Sequence, residues 1–158
     1  MSKLRLRSLL VLSLLSLLSL RATHAQIPDS EYVARRDSLA GRVGDGVVLA
    51  FGGRTPISDF GPFYQLPAFH YLTNFDEADA AFVMVVHAGK GTSTLFLTPI
   101  DPRTAFYYGR RPDSATVEQT LHMHARSFSA LKAVADSLAD AGLTFYELRD
   151  FEDAAPRR

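Results

Sequence analysis

The sequence contains no cysteine, and its charges of opposite sign are equal in number. The lack of cysteine excludes disulfide bonds, thiolate metal sites and a lipid anchor attached through cysteine. Lysine and arginine together number 17, as do aspartate and glutamate, and no basic stripe follows any part of the chain. Nucleic-acid-binding proteins normally carry such a stripe, so we expect no nucleic-acid partner.

The first 25 residues have the composition of a secretory signal peptide. Three of the first seven residues are basic, and residues 8–20 are uncharged and rich in leucine. Thr23 and Ala25 are small residues at positions −3 and −1 of a cut after Ala25. The apolar run is about 13 residues long, whereas a membrane-spanning helix needs about 20. We therefore expect export to the periplasm or the exterior and no stable membrane span; the alternative is an uncleaved anchor.

The remainder, about 133 residues, is long enough for one domain with a hydrophobic core. Because four basic residues lie in the leader (Lys3, Arg5, Arg7 and Arg21), the net charge of this remainder is near −4. Without disulfides, an exported domain of this size must be stabilised by its core or by a partner. We expect the domain over residues 26–150 and a connector over residues 151–158.

Two amphipathic helices are predicted from the spacing of apolar residues. The first starts near Asp29 or Ser30, either of which can cap it, and ends at Gly44. Its predicted inner face carries Tyr32, Val33, Leu39 and Val43, and its predicted outer face carries Arg35, Arg36 and Asp37. The second is predicted to be capped by Ser127 or Ser129 and to end at Gly142, with Leu131, Val134, Ala135 and Leu138 on one face.

Four β-strands are predicted, and together with the helices they indicate the fold class. Continuous apolar runs at residues 47–51 and 80–86 are typical of buried strands, and residues 93–98 and 143–148 add two more. The second and third are predicted to form a hairpin, while Gly52, Gly53 and the region of Pro56 form a loop. Because strands and helices do not alternate strictly, we predict an α/β fold with a mixed sheet flanked by helices.

Gly89-Lys90-Gly91-Thr92 resembles a phosphate-binding loop only superficially. It lacks the spacing of that motif, and it lies between two predicted strands rather than before a helix. A hairpin turn is the favoured interpretation.

His122 and His124 lie two residues apart and could present both imidazoles on one side of an extended segment. A metal site needs further ligands, and Glu118 is the only acidic residue nearby. The alternatives are a metal site that would make the chain an independent hydrolase and a polar connector before the last helix, which we favour.

The acidic residues Asp76, Glu77 and Asp79 crowd together after Phe75 and could share a proton or bind a hard cation. A solvated turn between strands is favoured. His70 could alternate to the opposite sheet face from Phe69 and Tyr71. We interpret it as a surface or boundary residue rather than a base, since no nucleophile lies beside it in the sequence. We therefore assign no catalytic, cofactor-binding or metal-binding residue to this chain.

Four segments in order resemble the N-terminal domain of aminopeptidase P, in the creatinase or pita-bread metallopeptidase family. The central one is Phe60-Gly61-Pro62-Phe63-Tyr64-Gln65 with Phe69-His70-Tyr71-Leu72-Thr73-Asn74-Phe75-Asp76-Glu77. Leu95-Phe96-Leu97-Thr98-Pro99 follows, then Asp101-Pro102-Arg103 with Tyr107-Tyr108-Gly109-Arg110-Arg111, while Tyr32, Arg35-Arg36 and Gly46-Val47-Val48-Leu49 resemble the domain's start. The resemblance covers roughly residues 30–150.

Two residues depart from the family pattern. Asn74 stands where glycine is usual; since asparagine tolerates a positive φ better than most residues, we expect the turn to be kept. Tyr107 stands where tryptophan is usual and retains a large aromatic ring with a polar tip.

The resemblance implies a part of an enzyme that removes an N-terminal residue preceding proline. Relatives carry two manganese ions, held by two Asp, one His and two Glu, in a separate C-terminal pita-bread domain that also holds the catalytic histidines. None of these ligands maps onto this chain, so residues 151–158 are expected to begin a linker to a catalytic domain absent from it. The N-terminal domain is expected to shape access for short peptides and to form contacts in a homo-oligomer.

A free-standing protein-binding or oligomerisation module is the alternative function. It would use the aromatic surface around Phe60 to Tyr71.

Overall fold

A computed structural model of the chain describes residues 27–54, 63–99, 103, 105, 106 and 111–150. Helices and strands alternate irregularly within these ranges. In chain order they are α1 (Asp29–Val43), β1 (Gly46–Phe51), α2 (Pro67–Thr73), β2 (Ala81–His87), β3 (Lys90–Leu97), α3 (Ser114–Leu121), β4 (His124–Ser127), a 3-10 turn (Phe128–Ala130), α4 (Leu131–Asp140) and β5 (Phe145–Leu148).

The five strands form one mixed sheet in the order β4-β3-β2-β1-β5. β2 pairs antiparallel with both β1 and β3, while the outer strands β5 and β4 pair parallel with β1 and β3. The α/β class and the mixed sheet flanked by helices are therefore confirmed, as are the strand at residues 47–51 and the hairpin.

Alternation along the strands divides the core between the two faces of the sheet. On one face, Val48, Phe82 and Met84 are buried together with residues of the first three helices, such as Ala40, Phe69 and Val117. On the other face, Val47, Ala81, Val83 and Phe96 are buried beneath α4 and the 3-10 turn. No residue of α4 is itself fully buried, although Leu131, Val134 and Leu138 pack against this face.

The β2–β3 hairpin turns through Ala88 and Gly89, with φ of 50° and 74°. Two consecutive positive φ values are characteristic of the type I′ turn, whose twist suits a hairpin. The Asp45 carboxylate accepts the Ala88 N–H at 2.7 Å and lies 3.2 Å from His87 Nδ1. The predicted hairpin is thus confirmed, but its turn is Ala88-Gly89, and Lys90, Gly91 and Thr92 already belong to β3.

The predicted helix caps are wrong at both amphipathic helices. Residue Pro28 precedes α1, and α1 has no side-chain cap from Asp29 or Ser30. The 3-10 turn leads directly into α4, and the hydroxyls of Ser127 and Ser129 contact each other at 2.9 Å instead of capping it. The apolar face of α4 is confirmed, since Leu131, Val134 and Leu138 pack on the sheet.

The interval between the hairpin and α4 is not the polar connector that we predicted. It contains α3 and the edge strand β4. The Asp113 carboxylate accepts the Thr116 N–H at 2.8 Å and caps α3, and His122 ends the helix with φ of 52°. Left-handed backbone is a common way to end a helix, and it turns the chain directly into β4.

Several predictions fall outside the described residues. These are the signal peptide over residues 1–25, the loop at Pro56, the aromatic residues Phe60 and Tyr107, and the connector at residues 151–158. None of the helices in residues 27–54, 63–99 and 111–150 has the length and apolar character needed to cross a bilayer.

Candidate functional site

One end of the sheet gathers the segments that follow β1, β3 and β5 and the segment that precedes β2. The strand directions require this, because β2 runs opposite to its neighbours. Residues 63–79, which carry the aromatic and acidic motif, lie at this end. We call it the loop end of the sheet and treat it as the candidate functional site.

Gln65 holds the loop end together through four hydrogen bonds. Its Oε1 accepts the N–H groups of Gly53 at 2.6 Å and Leu66 at 3.0 Å. Its Nε2 donates to the carbonyl oxygens of Phe75 at 3.0 Å and Glu77 at 3.1 Å. A primary amide has two donors and two acceptor positions, so its hydrogen-bonding capacity is filled. This role of Gln65 has no signal in the sequence, because three of its four partners are backbone groups 10 or 12 residues away.

Gly53 permits the close approach that this network requires. A Cβ at Gly53 would lie 2.9 Å from the Phe63 ring and 2.9 Å from the Tyr64 carbonyl oxygen. Its own carbonyl oxygen accepts the Asp79 N–H at 2.9 Å. The loop after β1 is thereby fixed to the segment before α2 and to the turn before β2.

Tyr64 lies beside Gln65 and is 78% exposed. Its backbone is held by the Gln65 contacts and by the packing of Phe63 on Gly53. An exposed aromatic ring on a fixed backbone loses little conformational freedom on binding, which suits it to a protein–protein contact.

The acidic turn is a hydrogen-bonded, partly solvated turn, as we favoured. The Glu77 carboxylate pairs with Arg111 at 3.3 Å, and the Asp76 carboxylate lies 3.2 Å from His70 Nε2. Arg111 also donates to the carbonyl oxygens of Ala78 and Thr98, both at 3.3 Å. Within the described part of the chain, no group of three or more His, Cys, Asp or Glu residues could hold a metal ion. The ion pairs of Asp76 and Glu77 therefore tie the turn to His70 and Arg111.

The aromatic segment does not form one surface. Phe69, His70 and Tyr71 lie in α2, so the predicted alternation of His70 across a sheet is wrong. Phe69 is 1% exposed and belongs to the core, whereas Tyr71 is 55% exposed. Phe60 lies outside the described residues, so the binding-surface hypothesis now concerns Tyr64 and Tyr71.

Asn74 ends α2 in the left-handed conformation, with φ of 54° and ψ of 31°. The expectation that asparagine keeps this turn is confirmed. The N–H of Asn74 donates to the His70 carbonyl oxygen at 3.0 Å, which closes the last turn of the helix.

Arg35 is held between two tyrosine rings. Its guanidinium carbon lies 4.7 Å from the centre of the Tyr32 ring and 4.3 Å from that of Tyr71. It also pairs with Glu31 at 3.2 Å. Cation–π contacts of this kind stabilise the packing of α1 on α2.

Arg36 is buried, although it was predicted on the outer face of α1. It donates to the carbonyl oxygens of Leu72 and Leu121, each at 2.9 Å, at the ends of α2 and α3. Burial lowers the pKa of Arg36, and the nearby Asp37 carboxylate opposes that effect. Arginine remains charged under ordinary conditions, so a buried cation here links three helices.

His122, His124 and Glu118 line one shallow depression of about 460 Å³, together with Gly91, Thr92, Ser93 and Met123. Glu118 Oε1 accepts the Ala125 N–H at 3.2 Å and so supports the start of β4. His122 is the left-handed residue at the end of α3 rather than part of an extended segment. Glu118 is bonded to backbone, and within the described residues these three side chains do not form a group that could hold a metal ion.

Comparisons with known proteins agree with this architecture. The family model "Aminopeptidase P, N-terminal domain" matches residues 32–145. Escherichia coli aminopeptidase P with the inhibitor Pro-Leu is 25% identical, with a TM-score of 0.70 over 80% of this chain and 30% of that chain. The zinc-substituted E. coli enzyme in complex with product is 26% identical, with a TM-score of 0.65 over 72% of this chain and 27% of that chain.

The matched region is a minor part of these relatives, since this chain covers less than a third of their length. A comparison with curated proteins gave no significant match. The family model nevertheless spans most of the chain, including every described strand apart from the last residues of β5. The chain therefore belongs to the aminopeptidase P N-terminal domain family.

Proposed function

We propose that this chain is the non-catalytic N-terminal domain of an exported Xaa-Pro metalloaminopeptidase, an enzyme that removes an N-terminal residue preceding proline. The observation that carries the proposal is the family match over residues 32–145, in a chain that covers 27–30% of the E. coli aminopeptidase P chains. Catalysis and the two manganese ions belong, on this proposal, to a C-terminal pita-bread domain joined through residues 151–158.

The loop end of the sheet supports a role in contacts rather than in chemistry. Gln65, Gly53 and Arg111 fix its backbone, while Tyr64 is left exposed. Thr98 also bonds to a backbone carbonyl there, and Asp76 and Glu77 pair with His70 and Arg111, an arrangement suited to a stable docking surface. Such a surface would shape access of short peptides to the catalytic domain and form contacts between subunits.

Export is part of the same proposal. The leader of residues 1–25 has a basic start, a short apolar core and small residues before Gln26. The mass of the exported chain should correspond to a protein beginning at Gln26. A full-length mass in the membrane fraction would instead support an uncleaved anchor.

Two measurements test whether this chain is non-catalytic and the catalytic residues lie in a C-terminal domain. The full chain, supplied with Mn²⁺, should not hydrolyse an Xaa-Pro peptide, and the source DNA beyond Arg158 should encode a metal-ligand set of two Asp, one His and two Glu. Hydrolysis that is lost in His122→Ala but kept in His87→Ala, a matched exposed histidine, would contradict the proposal and revive the independent hydrolase.

The exposed rings of Tyr64 and Tyr71 favour a second candidate, a free-standing protein-binding module. A stop codon directly after Arg158 would favour it over the first. An inert monomer that retains no partner during purification would count against it.

A further inference from the structure

A groove of about 420 Å³ lies between α1 and α2, beside the last residue of β5. The side chains of Leu39, Leu72 and Leu148 give it an apolar lining. Ser38 and Arg42, both exposed residues of α1, also line it. The groove thus combines an apolar interior with a polar rim on α1.

The sheet is incompletely covered beside this groove. Val48 pairs with Tyr146 and Ala50 with Leu148, and paired residues direct their side chains to the same face. Because Val48 and Ala50 belong to the core beneath α1 and α2, Tyr146 and Leu148 point to this face as well. Tyr146 is nevertheless 40% exposed, and Leu148 is only partly buried. The described helices therefore leave part of the outer strand open on this face.

The described chain ends at the rim of this groove. Asp150 Oδ1 accepts the Ala68 N–H at 2.9 Å, and both Ala68 and Leu148 line the groove. Residues 151–158 lie outside the described part of the chain, but the first of them is joined directly to this fixed point. Three extended residues span about 10 Å, so residues 151–153 are long enough to cross a groove of this size.

The sequence of this segment complements the groove. Phe151 is large and apolar, and Glu152 and Asp153 follow it with two negative charges. At the rim, none of the described acidic residues pairs with the Arg42 guanidinium. An aromatic ring followed by two carboxylates therefore matches an apolar groove that has a cation at its rim.

We propose that Phe151 occupies the groove between α1 and α2, with the carboxylates of Glu152 and Asp153 directed toward Arg42. Because the segment is attached at Asp150, its effective concentration at the groove is on the order of millimolar, and weak contacts suffice. The aromatic ring then covers Leu148 and gives the following residues a fixed starting direction along α1. The inference goes beyond the proposed function, because it concerns contacts within this chain alone.

Tryptophan fluorescence tests the docking, because the chain contains no tryptophan of its own. In the full chain, Phe151→Trp should place the indole in the groove. Acrylamide should then quench it at most about half as strongly as it quenches Tyr64→Trp, because packed side chains exclude a soluble quencher, whereas Tyr64 is 78% exposed. The protection should not change with protein concentration, since the contact is intramolecular.

A negative charge placed at the groove provides a matched pair of variants. Ser38 and Ser30 are both exposed residues of α1; Ser38 lines the groove and Ser30 does not. Ser38→Glu would repel the acidic segment and pair with Arg42, four residues further along the helix. Added to Phe151→Trp, it should raise quenching roughly twofold, to the level of Tyr64→Trp, with circular dichroism unchanged. Ser30→Glu should leave quenching as it was.

Equal quenching of Phe151→Trp and Tyr64→Trp would overturn the proposal and leave the groove open to another domain or a separate partner. Protection that appears only at high protein concentration would also overturn it, because a second copy would then fill the groove. Protection that survives Ser38→Glu would place the ring elsewhere and overturn it as well. None of these outcomes depends on peptide hydrolysis, so failure of this inference and failure of the proposed function are distinguishable.

Discussion

Arg36 is the residue on which the packing of three helices depends. Its guanidinium donates to the carbonyl oxygens of Leu72 and Leu121 from a position only 4% exposed. Arg36→Met would keep much of the side-chain volume but leave both carbonyls without these donors. We expect the free energy of unfolding to fall by about 3 kcal/mol, the scale for losing charged hydrogen bonds in a buried site. Urea denaturation followed by circular dichroism would measure it.

Arg42→Met is the matched control, because Arg42 is exposed in the last turn of the same helix. Its effect should stay within about 0.5 kcal/mol. Arg36→Lys should recover only part of the stability, since one ammonium lacks the fork that reaches two helix ends. Equal losses in Arg36→Met and Arg42→Met would show that the buried hydrogen bonds do not stabilise the fold.

The conformation or burial of a single residue could be predicted only where it depends on the residue itself or its neighbours in the sequence. The left-handed conformation of Asn74 could be predicted, because it depends on the intrinsic tolerance of asparagine for positive φ. The burial of Arg36 could not, because its acceptors lie 36 and 85 residues away in the sequence. Local periodicity places a charged side chain outward unless a distant partner is known.

At the scale of elements, the stability of α3 depends on one side-chain cap, Asp113. The Asp113 carboxylate accepts the Thr116 N–H, and this hydrogen bond lowers the pKa of Asp113. A lowered pKa in the folded state means that the contribution is present above the unfolded pKa of about 3.9 and is lost as pH falls through the folded pKa. Thermal melts should therefore show a smaller contribution of the cap at pH 3 than at pH 6.

Two substitutions isolate this effect. At pH 6, Asp113→Ala should lower Tm and Asp113→Asn should largely preserve it, since asparagine also caps helices. Between pH 6 and pH 3, the wild type should lose more Tm than Asp113→Asn does. Parallel losses in the two proteins would mean that ionisation of Asp113 does not stabilise α3.

Helices and strands could be predicted from the sequence when they are long and their apolar residues recur at regular spacing. The 15-residue α1 and the buried strands β1 and β2 follow directly from apolar spacing. The seven-residue α2 was missed because Phe69, His70 and Tyr71 suggest an extended segment, although Pro67 at its first position is a helix-start signal. The four-residue β4 was missed because so short an edge strand shows no alternation.

At the scale of the whole molecule, Asp150 joins the end of the described chain to α2. Its Oδ1 accepts the Ala68 N–H at 2.9 Å, the first free amide of a helix that starts with Pro67. Asp150→Ala should speed hydrogen exchange of the Ala68 amide and lower stability by about 1 kcal/mol, as for a lost helix cap. NMR-detected exchange would measure this.

Asp150→Asn should retain the acceptor and the slow exchange, and Asp140→Ala, at an exposed end of α4, should change neither quantity. Unaltered exchange of Ala68 in Asp150→Ala would show that the contact does not persist in solution. If it persists, the direction in which the chain leaves the sheet is fixed by a bond to α2.

The candidate site was less predictable than the fold. Among the titratable residues for which the sequence suggested chemistry, His122 ends a helix, and Asp76 and Glu77 pair with His70 and Arg111. Gln65, which organises the loop end, attracted none, because its role depends on backbone groups brought together by folding. The resemblance to the family pointed to residues 63–79, whereas the role of each residue there follows only from the hydrogen bonds of the folded chain.

The parallel pairing of β1 with β5 also has a consequence for the order of folding. The two strands are separated by nearly one hundred residues, whereas β2 and β3 are joined by a two-residue turn. Strands that are distant in the sequence pay a greater entropic cost of loop closure when they pair, so they pair later than the strands of a hairpin. While the polypeptide emerges from a ribosome or an export channel, the edge of β1 that pairs with β5 stays unpaired until Leu148 has emerged as well.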